Sequence, residues 1–432
     1  MRNQCHKLVR QKGLSILKGI LPKQKIQEIA RQEYPQERKR ALTSVLYIGL
    51  LIFAQIQRSI GSVDELLEMG LGQVGKIYGL KGMVITKQSF SRRSKTLPWQ
   101  MCKRLYEYLI EVASQMKSGR EKLFHDIYTV KLLDSTILDV AARLIGVMAS
   151  KPTRRFQNGK TNKGQIKITT IFNWSGRIPE LIQLKKGLNG ELSTIKGWLR
   201  KAIKRSKTVI LVFDLGFLSY QFIDWLIKEK IYFVSRIKSN NRYEVIKKLG
   251  RNDWLVRIGI TAKSQKSSLV RLVRVKEKKR WYYYITTLMD CKQIKRKDIR
   301  LLYRYRWQIE IFFKELKHIL NIKKIFFYNP NGIKGQIYIA LSVYVLGKIL
   351  IAQSAQKYEV KAEDISFSRA ITAIRIWVTH NDKRVFCERV WVKLTEDLLD
   401  QIYIFAHIKK KRLNQANEVT KSSTTNTGKI PA

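Results

Sequence analysis

Near residue 126 the hydrophobic pattern of the chain changes period, and this switch constrains the fold more than any other feature. Ile127 to Leu133 is a short β-branched and apolar run, Ile166 to Phe172 is a second and Ile178 to Leu184 a third, with the turn Asn173-Trp174-Ser175-Gly176 between the last two. Glu191 to Arg205 predicts a helix, Thr208 to Phe213 a fully buried strand, Ser219 to Lys228 a helix and Ile231 to Ile237 a strand. Continuous apolar strands that alternate with helices need a sheet covered on both faces, so the fold class is α/β.

The flanking segments read differently. Ile26 to Arg31, Ala41 to Gln57, Ser62 to Leu71 and Trp99 to Met116 carry apolar residues at three and four spacing, so residues 1–120 are expected to be a helical region for DNA binding or dimerisation, with Arg92, Arg93 and Lys95 as candidates for phosphate contacts. Residues 239–290 are rich in Lys and Arg and hold strand-like pieces at Leu269 to Val275 and Trp281 to Thr287, a basic β-rich insertion within a catalytic region spanning 121–325. Asp298 to Leu320 predicts one strong helix, Gly332 to Gln356 a second and Leu398 to Ile408 a third, the last two within a C-terminal helical region over 326–408. Residues 409–432, with Lys-Lys-Lys-Arg and Ser-Ser-Thr-Thr, predict a disordered basic tail.

Charge points to the partner. Lys and Arg number 84 against 33 acids, a formal net charge of +51, while 45% of the 432 residues are hydrophobic. A folded chain with that surplus repels itself unless a polyanion offsets it, and nucleic acid is the first polyanion to consider. A membrane fits less well. Met1 to Lys12 is polar with no apolar core after it, so no signal peptide is expected, and Ala41 to Gln57 and Gln336 to Gly347 fall short of roughly 20 apolar residues and predict buried helices. Cys5, Cys102, Cys291 and Cys387 are scattered without a C-x-x-C pair, which excludes a zinc finger and fits a reducing cytoplasm.

Three acids sit in apolar surroundings, where an isolated carboxylate is costly. Asp134 follows the strand Val130 to Leu133, and Asp214 follows Val209 to Phe213 and precedes Leu215-Gly216-Phe217. Strand C-terminal ends are where open α/β sheets place their ligands, although each aspartate taken singly also reads as a helix cap or loop residue. Glu310 lies in a helical run where Tyr303, Arg306 and Lys317 fall within roughly 40° of it, one polar stripe beside an apolar stripe of Leu302, Tyr305, Ile309, Phe313, Leu316 and Leu320. The alternative for Glu310 is a surface ion pair with Arg306 at i, i+4. Three converging carboxylates need a cation between them, and an all-oxygen set suits magnesium.

The motifs Asp134-Ser135-Thr136 and Asp214-Leu215-Gly216-Phe217, with Tyr303-x-x-Arg306-x-x-x-Glu310 followed seven residues on by Lys317, resemble an insertion-sequence DDE transposase of the IS-four type, the branch with a Y-R-E-K signature. The resemblance covers roughly residues 120 to 355. It implies a ribonuclease-H-like mixed sheet with flanking helices, in which Asp134, Asp214 and Glu310 bind two Mg2+ ions, with Mn2+ able to substitute. It also implies nicking at the element ends, a hairpin intermediate, its reopening by water, and joining of the freed end to target DNA in cut-and-paste transposition. Tyr303, Arg306 and Lys317 would grip phosphates near the cleaved end. Trp281, or else Trp307, would hold a flipped base. The partners implied are double-stranded DNA, as terminal inverted repeats and as target, and a second copy of the chain in a homodimer on DNA. The location implied is the bacterial cytoplasm, at the nucleoid.

Other assignments remain open in the sequence. Asp126 and Asp139 flank Asp134 as alternative first acids, and Glu315 competes with Glu310 but lies about 140° away around the helix. An inactive DNA-binding relative, or a metal-dependent nuclease on the same fold, would share these features.

Overall fold

The computed structural model describes residues 23–37, 42–57, 59–77, 84–115, 128–146, 163–186, 195–200, 208–259, 267–380 and 388–408. Asp126, Cys5, Cys387, residues 1–22 and the tail from 409 lie outside them. The chain divides into two compact units, one of residues 18–346 and the other of residues 347–432 together with 1–17.

Within the first unit the N-terminal helices are α1 (Lys23–Glu33), α2 (Ser44–Ile56), α3 (Val63–Ile77), α4 (Lys87–Thr96) and α5 (Trp99–Gln115). Every residue of α2 is buried. A helix apolar on all sides must be enclosed by protein, and Thr43 starts it by accepting the Leu46 N–H at 3.2 Å. Tyr47, Phe90 and Phe327 form an aromatic core between α2, α4 and the chain that precedes α9. Arg93 belongs to this interior. It is buried, pairs with Glu37 and donates to Ser44 Oγ at 3.2 Å, so it cannot meet a phosphate as the sequence suggested, which leaves Arg92 and Lys95 exposed for that role.

One nine-stranded sheet carries the unit, in the order β3-β2-β1-β4-β5-β9-β8-β7-β6. Its strands are β1 (Thr129–Ala141), β2 (Lys163–Asn173), β3 (Ile178–Lys186), β4 (Val209–Phe213), β5 (Tyr232–Ile237), β6 (Tyr243–Gly250), β7 (Asp253–Ile258), β8 (Ser268–Glu277) and β9 (Arg280–Thr286). β1, β2 and β3 pair antiparallel, whereas β1, β4 and β5 run parallel. This is the mixed α/β sheet expected from the sequence, with the strand order and directions of a ribonuclease-H-like core. The basic segment after Ile237 does not form a separate sheet, because β9 pairs antiparallel with β5 and extends the same one.

Each face has its own cover. Helix α6 (Tyr220–Lys228), capped by Ser219 accepting the Phe222 N–H at 3.2 Å, contributes Phe222, Ile223 and Leu226 to a core with Leu133, Leu211, Phe213, Phe233, Leu272 and Ile285. Burying these nine side chains stabilises by roughly 15–25 kcal/mol before chain entropy is counted. Helices α7 (Arg296–Tyr305) and α8 (Trp307–Lys314) cover the other face: α7 packs on β4, β5, β8 and β9, and α8 on β1. The single helix read over Asp298 to Leu320 is therefore interrupted. At Arg306 the bonds shorten to i−3, with Arg306 N–H to Tyr303 O and Ile309 N–H to Arg306 O, both at 3.1 Å. From Glu315 to Ile319 the helix widens into a π turn, closed by Leu320 N–H to Glu315 O at 3.2 Å.

Helix α9 (Pro330–Lys357) matches the helix expected over Gly332 to Gln356 and is long and apolar enough to cross a membrane by length and composition, although its uncharged stretch from Gln336 to Gly347 alone falls short. The most apolar window of α9 is 83% buried by protein, as for a core helix. The chain passes from one unit to the other within it. In the second unit α10 (Phe367–His380) and α11 (Glu388–Ala406) pack together, and Ser354 Oγ donates to Leu399 O at 2.8 Å. Gly347 is required there, since a Cβ would sit 2.9 Å from the Phe367 ring. Helix α10 was not anticipated from the sequence. Cys102 is buried and Cys291 half-buried, and both are free thiols.

Candidate active site

The two aspartates meet because β1 and β4 are neighbours. Leu132 pairs with Val212 and Leu133 with Phe213, so Asp134 and Asp214 each come directly after the last paired residue of two parallel strands that run about 4.8 Å apart. The strand β1 does not stop at Asp134 as read from the sequence. It runs to Ala141 against β2, with Asp134 opposite Thr170, and only its parallel neighbour ends here. The alternation through Ser135-Thr136-Ile137-Leu138-Asp139-Val140 suits a strand, and β2 supplies its ladder. Asp214 caps a short 3-10 turn, Leu215–Phe217, by accepting the Gly216 N–H at 2.9 Å. A Cβ on Gly216 would stand 3.1 Å from Asp214 Oδ1, so glycine allows the close approach.

Glu310 comes from α8, and Arg306 joins it to Asp134. The Arg306 guanidinium reaches Asp134 Oδ2 with Nη1 at 3.2 Å and Glu310 Oε1 with Nη2 at 2.5 Å. The i, i+4 pair foreseen as an alternative for Glu310 is thus present, but it faces the aspartates. Arg306 Nε is buried with no hydrogen-bond partner among the described residues. The Asp134 carboxyl is pushed up to about 6, first by burial and then by the charges of Asp214 and Glu310, against the Ser135 N–H and Arg306, which lower it. Asp214 and Glu310 therefore both act on Asp134.

Other side chains complete this face. Tyr303 lies 5.6 Å from the Arg306 guanidinium and 5.3 Å from the Tyr284 ring; burial raises its pKa, the charges of Arg306 and Arg236 and a hydrogen bond with Arg306 hold it back, and Asp214 adds a smaller upward push. Arg236, opposite Tyr284 in the β5–β9 pairing, stands over Tyr282 at 4.7 Å and Tyr303 at 6.0 Å. Its Nε is also buried without a partner among the described residues. Sequence reasoning missed Arg236, Tyr282 and Tyr284, and the only available signal was a basic residue inside an apolar strand. Trp307, 61% exposed, lines an open cleft of about 620 Å³ with Tyr303, Arg306 and Gln308.

The remaining candidates lie elsewhere. Lys317 falls in the π turn, where burial lowers its pKa and its charged neighbours are Lys323 and Asp139. Strand alternation sends Trp281 to the face opposite Tyr282 and Tyr284, where Arg274 lies 4.4 Å over its ring. Glu315 points away, its Oε2 accepting from Tyr344 Oη at 2.9 Å, and Asp139 accepts from Gln165 Nε2 at 3.1 Å.

The donor set at Asp134, Asp214 and Glu310 is all carboxylate oxygen, the chemistry that a hard divalent cation requires. Among the described residues no three acidic, histidine or cysteine side chains stand together as a ready metal site, and Arg306 pairs with two of these acids. The residues fit a divalent ion in kind, and a shift of the Arg306 fork off Asp134 and Glu310 would free their oxygens.

The family model for the transposase DDE domain matches residues 126–346, just over half of the chain. A Synechocystis sp. protein named as the transposase of insertion sequence element IS4SA is 26% identical over 300 residues, 68% of this chain and 80% of that one. A Geobacillus stearothermophilus protein named for element IS5377 is 22% identical over 306 residues, 68% and 75% of the two chains. The Escherichia coli K12 transposase for element IS4 is 24% identical over 125 residues, 27% and 28% of the two chains. Among solved structures, a piggyBac transposase synaptic complex with hairpin DNA gives a TM-score of 0.43 at 13% identity, over 97% of this chain and 86% of that one. The chain belongs to the DDE transposases of insertion sequences, enzymes that bind DNA and cleave and transfer its strands with divalent metal ions.

Proposed function

We propose that this chain moves its insertion sequence by cut-and-paste transposition, with Asp134, Asp214 and Glu310 as the catalytic acids. The observation that carries the assignment is that Asp134 and Asp214 directly follow Leu133 and Phe213, the last paired residues of two adjacent parallel strands, with Glu310 joined to Asp134 through Arg306. These three carboxylates would hold divalent ions, which we take to be two Mg2+ with Mn2+ able to replace them. Bound there, the ions activate the attacking oxygen and stabilise the leaving oxygen of an in-line displacement at phosphorus.

The protein's own groups place the DNA. Arg306 and Arg236 present guanidinium forks suited to phosphate, with buried Nε donors in reserve. Tyr303 lies near both, and Lys317, set apart in the π turn, would meet a phosphate farther along the DNA. A hairpin intermediate demands a sharp bend, and an aromatic that receives an unstacked base lowers the cost. We assign that task to Trp307, which is exposed and lines the open cleft beside Arg306. Trp281 on the opposite face would serve only DNA wrapping the far side of the insertion. Two ends must be brought together, so the active species is a homodimer on DNA, working in the cytoplasm at the nucleoid, with terminal repeats and target as its DNA partners.

The test is to incubate purified protein and its Glu310→Gln variant, with Mg2+ or Mn2+, on DNA carrying the sequences that flank its gene. End-specific nicks, hairpins or joined products from the unaltered protein alone would support the proposal. Binding without cleavage by either protein in either metal would refute it, and cleavage that never leads to joining would make the chain a nuclease.

A further inference from the structure

The geometry points to Arg306 as an internal stand-in for the metal, so that the site loads its divalent ion only when a DNA phosphate draws the arginine away. This rests on the assignment of Asp134, Asp214 and Glu310 to the metal. The guanidinium bridges Asp134 Oδ2 and Glu310 Oε1, the oxygens that a cation would need. Its charge relieves the repulsion between acids that would otherwise face one another in a largely buried place, as Asp134 is only 14% exposed.

The contact is built to be broken. A guanidinium forms two parallel bonds with a single carboxylate in its preferred geometry, whereas Arg306 spreads one nitrogen to each of two acids and leaves its buried Nε unmet among the described residues. An incoming phosphate offers those donors a better acceptor and returns the carboxylate oxygens to a metal. Metal and arginine thus compete for the same oxygens, while metal and DNA assist one another through the arginine. A transposase regulated in this way would have no loaded site when free in the cell.

The experiment measures Mn2+ binding to the full-length protein, by electron paramagnetic resonance of the free ion, without DNA. Arg306→Ala is expected to bind Mn2+ at least about tenfold more tightly than the unaltered chain, and Arg306→Lys, which keeps one charge but cannot span both acids, to fall between. A duplex carrying the flanking sequences should raise the affinity of the unaltered chain toward that of Arg306→Ala and leave Arg306→Ala little changed. Equal affinities of the unaltered chain and both arginine variants would overturn the inference. Asp134→Asn separates the two levels of the argument. If it abolishes binding while the arginine variants change nothing, only the stand-in role fails, and if it leaves binding untouched in every background, the assignment of the metal to these acids fails. Should Arg306→Ala not fold, Arg306→Lys alone decides, through the presence or absence of its intermediate gain.

Discussion

Two arginines in this protein meet carboxylates on the same face of one sheet, and they are used in opposite ways. Arg271 on β8 is completely buried and its donors are satisfied: Nε and Nη2 bond Asp253 at 2.9 and 2.7 Å, and Nη1 reaches the carbonyls of Ile294 at 2.9 Å and Leu288 at 3.1 Å. It ties the insertion to the segment that leads into α7. Arg306 is 18% exposed, divided between two acids, and short of a partner for Nε among the described residues. A closed network fixes structure, whereas an incomplete one beside three carboxylates is poised to exchange partners. The contrast separates architecture from function without reference to conservation.

The largest expected effects lie at the acids. Asp134→Asn, Asp214→Asn or Glu310→Gln should each lower strand cleavage by on the order of a thousandfold or more, with double variants no worse than single ones because the acids act as a unit. DNA affinity, read by gel shift, should change by no more than a few fold. Separate, additive losses would show that the three do not share a site.

Next comes stability. Arg271→Ala would strand a buried Asp253 and should cost on the order of 3–5 kcal/mol in urea unfolding. Arg306→Ala should cost no more than about 1 kcal/mol, since Asp134 can take up a proton instead. If the two arginines proved equally costly, the distinction between them would collapse.

The pH dependence sharpens the same point. The Asp134 carboxyl, held near 6 in the folded chain against an ordinary value near 4 in the unfolded one, binds its proton more tightly when folded. Its contribution therefore favours folding below about pH 4 and is lost as pH rises through 6. Without metal, Asp134→Asn should match the unaltered chain near pH 4 and exceed it by on the order of 2 kcal/mol above pH 7. Thermal unfolding at both pH values checks this, and a variant less stable at pH 7 would contradict it.

The smallest expected effect distinguishes the tryptophans. Trp307→Ala should reduce hairpin yield by about tenfold with cleavage less affected, whereas Trp281→Ala should change neither by more than about twofold. The reverse pattern would move the base-holding role to the far face.

What the sequence made legible follows from local physics. The apolar runs gave the core strands, because a strand buried on both faces needs no context to be recognised. The stripe on the helix brought Glu310 and Arg306 together, because their spacing is set by helix geometry alone. Features decided by distant partners were hidden. Trp281 and Tyr282 are adjacent, and only the register of β9 against β5 decides which faces the acids. Arg93 resembles a phosphate contact until Glu37 is found beside it. The π turn that carries Lys317 has no periodic signature, so a continuous helix was the natural reading.

If Asp214, with Asp134 and Glu310, acts by holding the metal as proposed, a change of ligand chemistry at that position tests it most directly. Thiolate is a poor partner for Mg2+ and a better one for softer ions. Asp214→Cys is predicted to lose strand cleavage in Mg2+ and regain a measurable part of it in Mn2+, while Asp139→Cys behaves like the unaltered chain in both metals. Loss of cleavage at Asp214→Cys with no recovery in Mn2+ or any softer ion, or full cleavage by that variant in Mg2+, would contradict it.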